Sequence, residues 1–145
     1  MAWLLDTMIL SEGRRPRPEP KVTAFLNAQS LDELYISVVT LAEIRFGIEL
    51  LEDSTRRAEL SDWLRLKLRP MFVGRILPIT EEILLKWRLL LEEGRKIGHT
   101  FSQPDLMIAA TALHYGLTVV TRDRSDYDKA HVSVLNPWAG ADVAS

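Results

Sequence analysis

The chain opens Met1-Ala-Trp-Leu-Leu-Asp6-Thr-Met-Ile-Leu-Ser-Glu12, and the reading of this stretch decides the fold. Trp3, Leu4 and Leu5 form a short apolar run that stops at an acid. Such a run is the pattern of a strand buried on both faces, the usual state of an interior strand in a parallel sheet. Asp6 then stands where that strand ends. In open α/β sheets ligands sit outside the carboxyl ends of the strands, so the question is what other chemistry reaches the same edge.

Outward from this strand, residues 13–20 (Gly-Arg-Arg-Pro-Arg-Pro-Glu-Pro) read as an exposed loop, because the prolines break both helix and interior strand. Residues 21–29 carry Val22, Phe25 and Leu26 at helical spacing. Residues 33–37 read as a second strand and residues 38–51 as a helix. On that helix Glu43 falls on the stripe of Val39, Phe46, Gly47 and Leu50, which is read as the packed face. Ser54 or Thr55 caps a helix running to Arg69 and ended by Pro70. Residues 75–79 are a third strand. Thr80 caps a helix with Glu81 and Glu82 in its first turn, closed by Gly94. A polar loop leads to Ser102-Gln-Pro-Asp105 and a helix through Ile108, Ala109, Ala112 and Leu113 to Tyr115, with Gly116 as its C-terminal cap. Residues 117–121 and 132–135 are the last strands, and residues 122–127 are read as a connection. The pattern predicts one domain over residues 1–140 and a loose tail over 141–145.

Alternating strands and helices predict an α/β architecture with a mainly parallel sheet and helices on both faces. At 145 residues the chain is one domain that can bury a real core. No apolar run approaches a membrane span, and the N-terminus lacks the basic flank of a signal peptide; a cytoplasmic protein is expected. The absence of cysteine excludes disulfides, zinc fingers and thiol nucleophiles. A net charge of −2 argues against a general nucleic-acid coat but leaves room for local basic patches, such as Arg14, Arg15, Arg17, Arg122 and Arg124. His99, His114 and His131 lie far apart without ligand spacing and read as structural or exposed.

Helices that connect parallel strands start at the carboxyl edge of the sheet. Asp6 and Asp123 follow strands, and Glu43 and Asp105 lie near helix starts, so all four acids belong to one edge. Each has an ordinary alternative. Thr40-x-x-Glu43 and Ser102-x-x-Asp105 match capping boxes, Asp6 can cap a turn, and Asp123 can make an Asx turn. Together they are harder to dismiss, because buried carboxylates cost several kcal/mol each unless compensated. Converging carboxylates without interior lysines suit a divalent cation, and hard oxygen donors select Mg²⁺ or Mn²⁺.

Taken in order, Leu4-Leu-Asp6-Thr, Leu10-Ser-Glu12, Ser37-x-x-Thr40-x-Ala-Glu43, Asp105-x-x-Ile-Ala-Ala-Thr-Ala112, Thr121-Arg-Asp123 and Asn136-Pro-Trp138 resemble the PIN domain. Within it they resemble the VapC-type toxins of bacterial toxin–antitoxin pairs, above all the FitB-like branch. The resemblance spans nearly the whole chain. It implies a three-layer α/β/α sandwich and an Mg²⁺- or Mn²⁺-dependent endoribonuclease. Asp6 and Asp105 match the primary metal ligands, Glu43 and Asp123 complete the site directly or through water, and Thr7 and Thr121 support them from behind. It also implies a homodimer and an antitoxin whose C-terminal segment wraps the toxin, often placing an arginine in the acidic site. Operator DNA is reached only through that antitoxin.

This chain departs from the family pattern twice. Met8 stands where an asparagine is usual, and both Asp123 and Asp126 are present near the fourth acidic position, so Asp126 is a further candidate. Two other function classes compete. A phospho-aspartate enzyme also uses a strand-end aspartate with Mg²⁺, but Met8 occupies the place of the second acid a phosphatase needs, and receiver-type acids and lysine are missing. A PIN-fold module that binds an antitoxin or nucleic acid without efficient cleavage is kept open by Met8. No Gly-x-Ser-x-Gly elbow, P-loop or dinucleotide fingerprint is present.

Overall fold

The structure is a computed structural model that describes residues 1–139, so the tail expected over 141–145 lies outside the described residues. The opening apolar run is β1 (Trp3–Leu5). It lies between β2 (Leu34–Ser37) and β4 (Thr118–Val120), with β3 (Ile76–Leu77) and β5 (Val134–Leu135) at the two edges. The strand order is β3-β2-β1-β4-β5, and every pairing is parallel. Leu4 stands level with Tyr35 on one side and Val119 on the other.

Successive strand residues face opposite sides of a sheet, so β1 feeds two cores. Trp3 and Leu5 join Ile36 and Val120 beneath α1 (Thr7–Gly13), α2 (Pro20–Asn27), α3 (Val38–Glu49) and α4 (Ser54–Trp63). Leu4 joins Val119 beneath α6 (Glu81–Lys96), α7 (Gln103–Tyr115) and α8 (Ser125–Lys129). The short α5 (Arg69–Met71) continues α4 through a wide π-helical segment over Leu64–Leu68. Leu4 and Leu5 are almost fully buried, each contributing roughly 1.5–3 kcal/mol. The result is the expected α/β/α sandwich.

Several local expectations are corrected. No element was expected between Asp6 and the proline-rich loop, yet α1 forms there, because Asp6 accepts the Ile9 N–H at 3.2 Å and Ile9 and Leu10 bury. A further short helix, α8, occupies the region read as a connection. The cap of α4 is Asp53, not Ser54 or Thr55. Thr40 does not cap, because Ser37 holds that place and accepts the Val39 N–H at 3.0 Å. Ser102 occupies the cap position of α7 but makes no capping bond through its hydroxyl. The stripe read as packed on α3 faces solvent beyond Val39, which packs against the core: Phe46 is 61% and Leu50 65% exposed, while Leu41, Ile44 and Ile48 bury. Glu43 therefore sits on an exposed face, and Gly47 meets nothing.

Gly94 does not close α6, which continues to Lys96. It is buried because a Cβ there would lie 2.5 Å from the ring of Phe101 and 3.1 Å from the His99 carbonyl. Gly94 is thus where α6 and the chain entering α7 approach most tightly. Gly94→Ala is expected to cost about 1–3 kcal/mol through overpacking and to lower the unfolding midpoint by several degrees in a thermal melt. An unchanged midpoint would show that Phe101 yields freely.

Candidate metal-binding cleft

The strand order reverses between β1 and β4, one running on to β2 and the other to β5. Such a reversal opens a crevice at the carboxyl ends. Here the Asp6 N–H donates to the Val120 carbonyl at 3.2 Å, tying the two strand ends together. Thr121, fully buried, follows β4 beside both neighbours. Its hydroxyl accepts the Asp123 N–H at 3.1 Å, and its nearness to Asp6 draws that carboxyl's pKa down against burial.

The crevice holds about 270 Å³ and is lined by Asp6, Glu43, Asp105 and Asp123, with Met8, Thr121 and Tyr127 among its walls. Asp6 is 7% exposed; burial raises its pKa against the opposing pull of Thr121 and the Ile9 and Met8 amides. Asp105 enters from the first turn of α7, and its pKa is raised to about 6 by burial and then by the charges of Asp126, Asp123 and Asp6. Behind it the buried Tyr127 O–H points at Asp105 Oδ1 from 3.4 Å, and burial raises the phenol's own pKa. Asp123 is exposed, and its Oδ1 accepts the Ser125 N–H at 3.1 Å in the Asx turn that starts α8. Glu43 reaches the cleft from the exposed face of α3.

The ordinary roles and the shared cleft coexist. Asp6 does cap α1 and Asp123 does make an Asx turn, yet both line the crevice. Asp126 does not line it. Its two oxygens are held by His99 Nε2 at 2.9 Å and the Ser102 N–H at 3.0 Å, which pins α8 to the start of α7. Sequence reasoning missed Tyr127 and the His99–Asp126 link. Nothing in their spacing marks them, although Tyr127 directly follows the candidate acid Asp126.

Among the described residues, Asp6, Glu43, Asp105 and Asp123 make no salt bridge to lysine or arginine. Their oxygen donors and unneutralised charge fit a hard divalent cation. They do not form a finished ligand shell: among the described residues no three acidic or histidine side chains stand close enough to hold a metal unaided. The side chains line a common space without converging on a point.

An α/β sandwich with a carboxylate-lined crevice at the switch point of a parallel sheet places the chain among the α/β folds that carry their sites at the carboxyl ends of the strands. The family can be stated more narrowly: the PIN-domain profile matches residues 3–131, and the chain belongs to the PIN-domain family. It is similar to Toxin FitB of Neisseria gonorrhoeae, 38% identical over 93% of this chain and 97% of FitB. It is also similar to VapC ribonuclease Y4jK of Sinorhizobium fredii, 33% identical over 95% of this chain and 99% of that protein. The crystal structure of FitAcB from Neisseria gonorrhoeae superposes with a TM-score of 0.88 at 38% identity, covering 94% of this chain and 98% of that one.

The raised carboxyl pKa values set a pH dependence. A carboxyl whose folded pKa lies above its unfolded value makes the native state bind more protons, so stability falls as pH rises through the interval. For Asp105 that interval runs from 3.8 to about 6. Metal-free protein is therefore expected to melt at lower temperature at pH 7 than Asp105→Asn, by roughly 2–4 °C, and the difference is expected to vanish near pH 4. Equal melts at pH 7 would mean that solvent already screens the cluster.

Proposed function

We propose that this protein is an Mg²⁺- or Mn²⁺-dependent endoribonuclease that acts in the cytoplasm as the toxin of a toxin–antitoxin pair. The observation that carries the reading is that Asp6, Glu43, Asp105 and Asp123 line one crevice and, among the described residues, none is in a salt bridge with lysine or arginine. Its relatives named as a toxin and as a VapC ribonuclease support it.

Asp6 and Asp105 are the primary ligands in this reading, being the more buried pair with raised pKa values. Glu43 and Asp123, both exposed, complete the set directly or through water. Asp123 is preferred over Asp126, whose oxygens are already taken by His99 and Ser102. A bound divalent cation supplies a lowered pKa for a coordinated water and offsets charge on the phosphate under attack. The chain's own part is orientation: the Ile9 N–H fixes Asp6, and Tyr127 holds Asp105 from its buried side. Both partners donate to the carboxylates, so both favour the ionised form needed for ligation.

The same uncompensated charge suits an arginine delivered by an antitoxin's C-terminal segment, since a guanidinium can bond a carboxylate through two N–H groups. A homodimer completes the proposed assembly. Among the described residues no helix is long and apolar enough to cross a membrane. A second reading, a PIN module that binds without cutting, is favoured by two observations: Met8 on the cleft wall and the incomplete ligand shell.

Asp6→Asn separates these readings, because asparagine caps a helix as well as aspartate does while removing the charge. With Mg²⁺ present, wild-type protein is expected to cut RNA, and Asp6→Asn and Asp105→Asn are expected to lose about 100-fold or more of that rate, as removal of groups that support a metal centre does. Mg²⁺ at about 100 times its dissociation constant is expected to stabilise the wild type by about 2.7 kcal/mol and neither variant. If wild type binds RNA without cutting while Met8→Asn cuts, the binding-module reading holds for the native chain. If no form responds to the metal in a melt, the metal site is wrong.

A further inference from the structure

Beside the acidic crevice, and sharing Thr7 and Met8 with it, lies a second and larger cleft of about 480 Å³. Its walls carry Arg14, Arg15, Arg56 and Arg122 against a single acid, Glu12. Glu12 is already occupied, taking the Glu19 N–H at 2.9 Å and Arg15 at 3.2 Å. The cleft is therefore strongly cationic within a chain whose net charge is −2.

Two of these arginines are held in an unusual way. The Arg14 guanidinium lies 4.8 Å from the ring centre of Trp63, and that of Arg122 lies 4.5 Å from the ring centre of Trp138. An aromatic face orients a guanidinium without using its N–H edge. Among the described residues neither arginine makes a salt bridge. Arg14 Nε is moreover buried with no hydrogen-bond partner. Burial and the nearby charge of Arg56 both act against the protonated form of Arg14, a penalty that a bound anion relieves.

We propose that this cleft binds the phosphodiester backbone of single-stranded RNA beside the bond to be cut, with Arg14 and Arg122 as Trp-backed phosphate ligands and Arg56 assisting. A planar fork with its edge open matches two phosphate oxygens. Continuity through Thr7 and Met8 puts a strand gripped here next to the carboxylates. Arginine also supplies the attraction a carboxylate-lined crevice lacks: the acidic cleft alone repels a polyanion. The proposal rests on the ribonuclease reading for its substrate, but binding can be measured apart from cleavage.

The experiment uses a short, unstructured, fluorescently labelled RNA in EDTA, with anisotropy read from about 50 to 200 mM salt. Each phosphate contact on a single strand contributes about 0.7 to the slope of log K against log salt. Arg14→Gln and Arg122→Gln are each expected to lower that slope by about 0.7 and to weaken binding about three- to tenfold. Arg122→Lys is expected to keep the slope and lose part of the affinity, since lysine keeps the charge but not the fork. Arg88, which also lies over a tryptophan but does not line this cleft, is the control: Arg88→Gln is expected to change neither quantity. If Arg14→Gln unfolds by circular dichroism, the exposed Arg56→Gln takes its place with the same expected direction. Equal losses in all three glutamine variants, or unchanged slopes at Arg14 and Arg122, overturn the proposal. So does a polyglutamate peptide that binds through these arginines when RNA does not, which would make the cleft a protein-docking site. Arginine-dependent binding in a wild type that never cuts leaves the pocket standing and removes the ribonuclease reading; cleavage with arginine-independent binding does the reverse.

Discussion

The crevice depends on β1 and β4 ending side by side. The bond from the Asp6 amide to the Val120 carbonyl is the last rung between them, and beyond it the two chains part, one into α1 and the other toward α8. With β1 paired on both sides, its backbone groups are satisfied and its side chains bury on both faces. Asp6 then cannot shift along the strand without exposing Leu4 or Leu5. The position of the first acid is thus set by core packing rather than by its own interactions. Thr121, the next residue after β4, extends the same constraint to Asp123, whose N–H its hydroxyl accepts.

Charge placed this way works against the fold. Asp6 and Asp105 hold their protons more tightly than free carboxyls because burial and neighbouring acids disfavour ionisation. The surroundings brace the crevice without neutralising it: Tyr127 donates a neutral hydrogen bond, and the His99–Asp126 pair fastens α8 to the chain entering α7. Stability given up to gather like charges in one crevice is a common cost where a fold keeps them for a purpose other than packing. The rest of the molecule offsets it through two full cores, one on each side of the sheet.

Much of this was legible in the sequence, and the failures have physical causes. The strand Trp3–Leu5 and the alternation of elements were readable because a doubly buried strand has no polar face to confuse the pattern. Connection geometry alone then assigned the four acids to one edge. The face of α3 was misread because Phe46, Leu50 and Gly47 look like a packing stripe, yet the helix buries Leu41, Ile44 and Ile48 and leaves Phe46 and Leu50 in solvent. Hydrophobic periodicity finds an apolar face, not what covers it. Gly94 was read as a stop because helix-ending glycines are common. Its real role, clearance for Phe101, depends on a contact with the next helix that no local pattern encodes. The partners of Asp105 and Asp126 were invisible for the same reason.

The helix that follows β1 has a consequence of its own. α1 begins at the acid of one cleft, and the residue just beyond its last turn, Arg14, lines the other. Seven residues at 1.5 Å each span about 10 Å, and Ile9 and Leu10 anchor the segment in the core so that it can neither slide nor lengthen. α1 therefore acts as a ruler. It sets a constant distance between a place of negative charge and a place of positive charge, and any chain laid across both must match its length.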